Sequence, residues 1–449
     1  MSSRLLFTAG ASLILLTLGI AYGFQYEFTG DSRHAWFSIN SAMFLSGVGL
    51  LWMFIAKTDY NRIIDSRVVV QSAGPTLSLC SLSLSIFFSS TTPIASVIIA
   101  GLSVCFAFTW LRWDSVAAVR LLFFVATILG AIYIAITPLN PQAADMLPII
   151  QAASEFFLSG QPPYGVIFPG SSVFPFVYLP GTWLPYLPFV ALDLDPRLLN
   201  LAGFVALALM AEHTVKKFGG HEPDLTVSVY PMLLSPVFAQ ALVYGQAWPY
   251  WLMTAGLAYL LLSKRLFWAA FVLGLMLATR QWAVFIAWPV AVYYAVRLPF
   301  RQFSALGVTA AAGFLLLIGP MSIFDSNLIQ VAFLDVVGSA SVALDHERTT
   351  AQVSLIALLK SLGIPTIPTL LLITLSIIVA IIIYKGRQSA AWLIFVIGLS
   401  YIGFVTCNFQ VFRYYYVPGW WLVVVSYPLL ASNLYRSATE STKGAGSSS

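Results

Sequence analysis

The chain has 449 residues, of which 59% are apolar and only 9% charged. A soluble domain carries about 25% charged residues because its surface faces water, so this composition argues against an ordinary soluble fold and for a surface that faces lipid. The formal net charge of +5 is small, and its basic residues stand singly between apolar runs, which argues against a nucleic-acid partner.

An apolar helix of about 20 residues covers a hydrocarbon core about 30 Å thick. On that rule the first spans fall at 5–22, 35–56, 72–89, 93–110 and 117–136. The run after Arg4 has no small-residue cleavage site and is followed by further spans, so it reads as a retained first helix rather than a signal peptide. Later spans fall at 198–215, 226–243, 247–263, 266–279, 282–296, 303–323, 365–384, 389–406 and 414–434. The expectation is an all-α polytopic transmembrane bundle of about 14 spans. The stretch 266–296 has a second reading, as one broken crossing around Arg280. Cys80 and Cys105 lie inside apolar runs and Cys407 at the end of one, which reads as buried thiols rather than a disulfide framework or a metal site.

Lysine and arginine placement orients the bundle. With both ends inside, only Arg33, Arg197, Arg280, Arg348, Lys360 and Arg413 of the 22 basic residues fall outside. The same rule settles 173–192, which is apolar but contains Pro175, Pro180, Pro185 and Pro188. An interior proline costs a helix about 3 kcal/mol, and a crossing here would put Lys216 and Lys217 outside. The segment is therefore expected on the outer surface or as a shallow re-entrant turn.

A long outer loop, 137–197, follows from this map. On a helical wheel Met146, Ile149, Ile150, Ala153, Phe156 and Phe157 share an arc of about 120°, with Asp145, Gln151, Ser154 and Glu155 outside it. That pattern predicts an amphipathic helix lying in the interface, and ordered loops of this length are usually functional. A second outer segment, 324–360, carries SIFDSNLIQ, Asp335 and LDHERTT. Residues 436–449, Gly/Ser-rich from Gly444, read as a disordered cytoplasmic tail.

Ionisable groups at a membrane edge are costly and call for a reason. Asp145 fits a helix N-cap ahead of Pro148, and equally a general base that takes a proton from an acceptor hydroxyl. Glu155, about 80° further round the helix, reads as facing solvent. Arg280, in MLATRQWAVF, is either a helix-end arginine snorkelling to headgroups or a bidentate phosphate ligand. Gln246, at the outer end of a span beside Tyr244, is either a satisfied helix-end amide or a hydrogen-bonding group for sugar or phosphate. Arg413 is followed by Tyr414, Tyr415, Tyr416, Trp420 and Trp421, which read as an interfacial aromatic belt or as the lining of a sugar or lipid groove. His346 and Arg348, with Asp345 and Glu347, form a charged outer run, either a solvated loop or part of a binding site; it lacks the tight constellation of a metal site.

No GxxxxGK[ST], GxGxxG or HExxH motif is present, and no GxSxG. An enzyme built this way, with its polar residues facing outward, needs a donor that reaches that face without free nucleotide.

The order of features over 117–435 resembles the GT-C superfamily of membrane glycosyltransferases, and within it glycosyltransferase family 87, which uses polyprenyl-phosphate sugars. The matching elements are the early aspartate of PLNPQAADMLPII, an interfacial helix ending in SGQPPYG, the surface segment FVYLPGTWLPYLPF, and the pair LVYGQAWPYW and ATRQWAVFIAWP. Where the family often has lysine, this chain has Arg280. The superfamily's aspartate loop usually follows the first helix, whereas here four spans precede it; residues 1–116 then read as an added four-helix membrane module.

The resemblance implies an inverting transfer at the outer face of the cell membrane. Asp145 would act as base. Arg280, with Arg413 or Arg348, would stabilise the departing lipid phosphate, and Gln246, Tyr244, Tyr178 and His346 would complete the donor-binding set. Mannose is the expected sugar, a glycolipid or glycan the acceptor, and membrane lipid the surrounding partner; no metal or other cofactor is required. A ligase or polymerase of lipid-linked polysaccharide would instead place its function in 324–360, and a secondary transporter would show repeated halves, which are not evident.

Overall fold

The computed structural model describes residues 115–139, 146–168, 175–219, 233, 241–243, 245–335, 368–385, 389–406, 413–426 and 429. Among these residues the regular structure is entirely helical. The principal helices are α1 (Ser115–Ile136), α2 (Met146–Leu158), α3 (Pro180–Trp183), α4 (Leu187–Ala191), α5 (Arg197–Gly219), α6 (Trp248–Leu262), α7 (Leu266–Leu277), α8 (Val284–Ala295), α9 (Phe300–Phe324), α10 (Pro368–Lys385), α11 (Ala390–Thr406) and α12 (Val417–Ser426). Residues 1–114 of the N-terminal module 1–116, most of the span 226–243 and the tail 436–449 lie outside the described residues.

Contacts fix the direction of each helix. Arg120 of α1 pairs with Glu212 near the end of α5, while Arg197 at the start of α5 donates to the carbonyls of Ile134 and Thr137, so α1 and α5 are antiparallel. Lys217 bonds the Tyr259 hydroxyl, and Gly203 meets Trp248, so α5 and α6 are parallel. A tight turn, with Lys264 in the left-handed region at φ 57°, reverses the chain into α7. Phe285 stacks on Phe404 with ring centres 4.8 Å apart, and Trp282 meets Tyr415, which sets α8 antiparallel to α11. Arg297 beyond α8 donates to Ile383 near the end of α10, so those two run parallel.

Close packing of α7 on α9 depends on two glycines. A Cβ on Gly274 would fall 1.9 Å from the Ala310 carbonyl oxygen, and one on Gly313 would fall 2.3 Å from that of Phe271. Small residues of this kind let helix backbones approach each other, which is how helices associate where no hydrophobic driving force acts between them.

These directions give the bundle two unlike ends. One end gathers Arg120, Lys216, Lys217, Lys264, Arg265, Arg297, Arg301 and Lys385. The opposite end carries α2, the segment 159–197, the turn before α6, the α7–α8 junction, the end of α9 and the turn Arg413–Tyr416. A second apolar cluster caps this latter end, with Leu147, Ile150, Tyr164, Phe176, Trp183 and Tyr186 at its centre. The main core runs between α5, α6, α7, α8, α11 and α12.

Among the described residues two helices, Arg197–Gly219 and Phe300–Phe324, are long and apolar enough to cross a membrane. Leu121, Phe124, Ile128, Ile132 and Ile136 form an exposed apolar stripe along α1, and Leu370, Ile373, Ile377 and Ile381 form another along α10. Soluble monomers rarely expose contiguous apolar patches of this extent.

Some local expectations hold and others are corrected. The surface helix α2 forms, but its buried face is Leu147, Ile149, Ile150, Ala153 and Ser154. Ser154 was expected outside the apolar arc; it is instead fully buried against the cap, its hydroxyl without a hydrogen-bond partner among the described residues. Met146 is only partly buried, whereas Glu155 is exposed and accepts a hydrogen bond from Gln151. The stretch 266–296 is two helices, α7 and α8, joined by an extended residue. The aromatic run after Arg413 is not a lipid-facing belt: Tyr416, Trp420 and Trp421 are buried in the main core. As expected of the segment 173–192, its described part, 175–192, forms no long helix: each proline from Pro180 onward sits in the first turn of a short piece, where its missing N–H costs no bond.

Candidate functional site

The site forms where α7 breaks. The amides of Thr279 and Arg280 both return to the Met276 carbonyl, ending the helix. Arg280 then takes an extended conformation (φ −145°, ψ 132°), and its own carbonyl accepts the Ala283 amide to start the next turn. Helix α3 docks on this break. The Gly181 amide donates to the Ala278 carbonyl at 3.0 Å, and the Thr182 hydroxyl donates to that of Thr279. Only glycine fits at position 181, since a Cβ there would lie 2.1 Å from Thr279 Oγ1.

The Arg280 side chain is 8% exposed. Its guanidinium carbon lies 6.0 Å from the centre of the Tyr178 ring and 5.9 Å from that of Tyr415. Tyr178 comes from the segment leading into α3, and Tyr415 from the turn Arg413–Tyr416. Cation–π attraction operates at this range, so two rings from distant parts of the chain hold one charge. Burial removes the reading of Arg280 as a headgroup-snorkelling arginine. Tyr186, Tyr250 and Tyr401 lie within electrostatic reach of the same guanidinium.

Gln246 stands in the turn between Gly245 and Ala247 and is 1% exposed. Among the described residues neither its amide nitrogen nor its amide oxygen has a hydrogen-bond partner. This overturns the reading of Gln246 as a satisfied helix-end amide. An unbonded buried amide costs about 1–3 kcal/mol or more, so a ligand offering both a donor and an acceptor would gain more here than at a surface amide. The turn is held by Asn200, whose amide donates to the carbonyls of Leu242 and Gly245, and whose oxygen accepts the Tyr186 hydroxyl at 2.7 Å. Burial raises the Tyr186 hydroxyl above its ordinary range, with the Arg280 charge opposing the shift. Tyr186 therefore serves as a neutral donor linking the Gln246 turn to the surroundings of Arg280.

A second network fixes Tyr178. The Tyr164 hydroxyl donates to the Tyr178 carbonyl at 2.9 Å and accepts the Trp183 indole N–H at 3.0 Å. The Tyr164 amide donates to Asp325 Oδ2, while Asp325 Oδ1 accepts the Asn327 amide. Asp325 is 2% exposed, at the end of α9. Burial pushes the Tyr164 hydroxyl well up, the Trp183 bond opposing and the Asp325 charge adding to it, so it too stays protonated. Gln281, next to Arg280, donates to the Ala332 carbonyl at 2.8 Å and ties the break to the chain beyond α9.

Of the residues expected in the site, the fold brings Arg280 and Tyr178 together and joins Gln246 to them through Asn200 and Tyr186. Arg413 begins the turn that delivers Tyr415; its side chain lies outside the described residues, as do Asp145, Tyr244, His346 and Arg348. Among the described residues no three His, Cys, Asp or Glu side chains gather. Reading the sequence missed Tyr186, Asn200 and Asp325. Asn200 is a lone polar residue within an apolar run and Asp325 opens the polar stretch DSN after α9, signals that were legible; the role of Tyr186 depends on tertiary contacts. The chain matches no protein-family model, no curated protein and no solved structure.

Proposed function

We propose that the protein is a polytopic membrane glycosyltransferase of the GT-C type, with about 14 spans, both ends in the cytoplasm and its site at the outer face of the cell membrane. It transfers a sugar, mannose foremost, from a polyprenyl phosphate to a hydroxyl of a glycolipid or glycan. The observation that carries the reading is the buried Arg280 guanidinium between Tyr178 and Tyr415, with the unbonded Gln246 amide held nearby, at the end of the bundle opposite its basic residues.

The reaction balances without a metal. Asp145 takes the acceptor hydroxyl proton as the oxygen attacks the anomeric carbon from the face opposite the phosphate. The bond from that carbon to phosphate oxygen breaks, and the lipid phosphate leaves as a monoester. Arg280 faces the charge that develops on the leaving oxygens, and a charge fixed in advance in a water-poor site is the largest single source of stabilisation for such steps. Gln246 bonds the sugar or the phosphate. The exposed apolar faces of α1, α9 and α10 fit a bundle that sits in lipid.

The test is transfer from radiolabelled polyprenyl-phosphate mannose to native membrane lipids by the purified, reconstituted protein. Transfer of label supports the reading. Its absence with mannose, glucose and arabinose donors alike removes it.

A further inference from the structure

We infer that the groove between α8 and α10 binds one anionic phospholipid of the cytoplasmic leaflet. The groove is open to one side, has a volume of about 620 Å³, and is lined by Trp288 and Val292 on α8, Val296 just beyond it, and Ile373, Ile377 and Ile381 on α10. Ser376 also lines it, but its hydroxyl is taken up by the Leu372 carbonyl, so this wall offers no unmet polar group there. At one end stand Tyr384 and Lys385, both exposed. The lining is almost wholly apolar and exposed Lys385 stands at its rim, which matches an acyl chain whose acidic headgroup lies outside the groove.

The dimensions agree. From Ile373 to Lys385 the helix rises about 18 Å, against about 15 Å for half of a hydrocarbon core. A lipid seated here would fill one leaflet and stop. Pro289 inside α8 lacks the N–H that would bond one turn back, and Arg297 ties the two helices at the basic end through the Ile383 carbonyl at 2.9 Å, its guanidinium 4.0 Å from the Tyr293 ring centre.

The occupant is not the sugar donor. The cation of the groove lies at the end of the bundle away from Arg280, so a prenyl phosphate seated here would carry its phosphate on the wrong side for transfer. The basic end also carries Lys264, Arg265 and Arg301, the surroundings that draw acidic lipids to a cytoplasmic face.

The inference rests on α8 and α10 crossing the membrane, not on glycosyl transfer. Full-length protein in vesicles of equal parts phosphatidylglycerol and phosphatidylcholine is extracted with mild detergent, and the lipids it retains are counted by native mass spectrometry. A phosphatidylglycerol with a photoreactive acyl chain maps the contact. The wild type is expected to retain phosphatidylglycerol about fivefold over phosphatidylcholine, the factor one basic residue near an acidic surface supplies, and to take label on the 373–385 peptide. Lys385→Gln brings the two lipids close to parity, and Ala380→Trp, which fills the groove, loses the label. Equal retention by the wild type, label elsewhere, or α10 crosslinking to a second copy overturns the inference alone. Release of the protein from membranes by alkaline carbonate overturns the membrane reading and this inference with it.

Discussion

The Arg280 guanidinium carbon stands 6.0 Å from the centre of the Tyr178 ring, and Tyr178 is held in turn by its own carbonyl, which accepts the Tyr164 hydroxyl. The charge is thus positioned through a ring whose backbone is pinned by Tyr164, Trp183 and Asp325. On the proposed function, a side chain fixed this way has little freedom left to lose when the donor phosphate arrives, which is the value of preorganisation.

Arg280→Gln removes the charge and is expected to lower transfer about 100-fold, the scale of one lost electrostatic contact to a developing oxyanion. Arg280→Lys should recover only part of that loss, because lysine keeps the charge but not the planar fork or its fit between two rings. Turnover under saturating donor separates the two variants. Equal rates in Arg280→Lys and wild type would mean that only the charge counts.

Gly181 lets α3 seat on the break that bears Arg280. Gly181→Ala is expected to lower transfer at least about tenfold, since a sub-ångström displacement of a catalytic group costs that much or more. Gly307→Ala is the control: nothing lies within 4 Å of a Cβ at that position, and activity and melting temperature should both hold.

Arg197 closes the C-terminal end of α1 on the start of α5. It is 2% exposed, pairs with Asp195 and donates to the carbonyls of Ile134 and Thr137. Arg197→Met leaves those carbonyls and Asp195 without it, and is expected to cost about 3 kcal/mol. The readout is the melting temperature of detergent-solubilised protein, followed by fluorescence-detected gel filtration. An unchanged value would mean that water replaces the guanidinium.

Orientation is tested with single cysteines in a chain lacking Cys80, Cys105 and Cys407. Ser159→Cys, beyond α2, should react in intact cells with a maleimide that does not cross membranes. Arg301→Cys, at the start of α9, should react only after permeabilisation. The reverse pattern would invert the map.

Much of the fold was legible because apolar length and prolines act locally. The ranges 117–136, 247–263 and 303–323 reappear as α1, α6 and α9 with small shifts at their ends. The prolines of 173–192 excluded a long helix, and none formed. What was illegible depended on packing across the chain. The faces of Ser154 and Trp421 are decided by the elements they meet, and an interfacial belt and a core stripe have the same composition. Arg280 was picked out as a lone charge between apolar runs, but its burial depends on Tyr178 and Tyr415, about 100 and 135 residues away along the sequence, and no periodicity links such positions.

The most direct test of the account is Asp145→Asn beside the wild type, in reconstituted vesicles supplied with polyprenyl-phosphate mannose and native acceptor lipids. The account predicts transfer at least about 100-fold slower in the variant, with donor binding unchanged because Arg280, Tyr178 and Gln246 are intact. Equal transfer by both proteins would contradict it and remove Asp145 as the base.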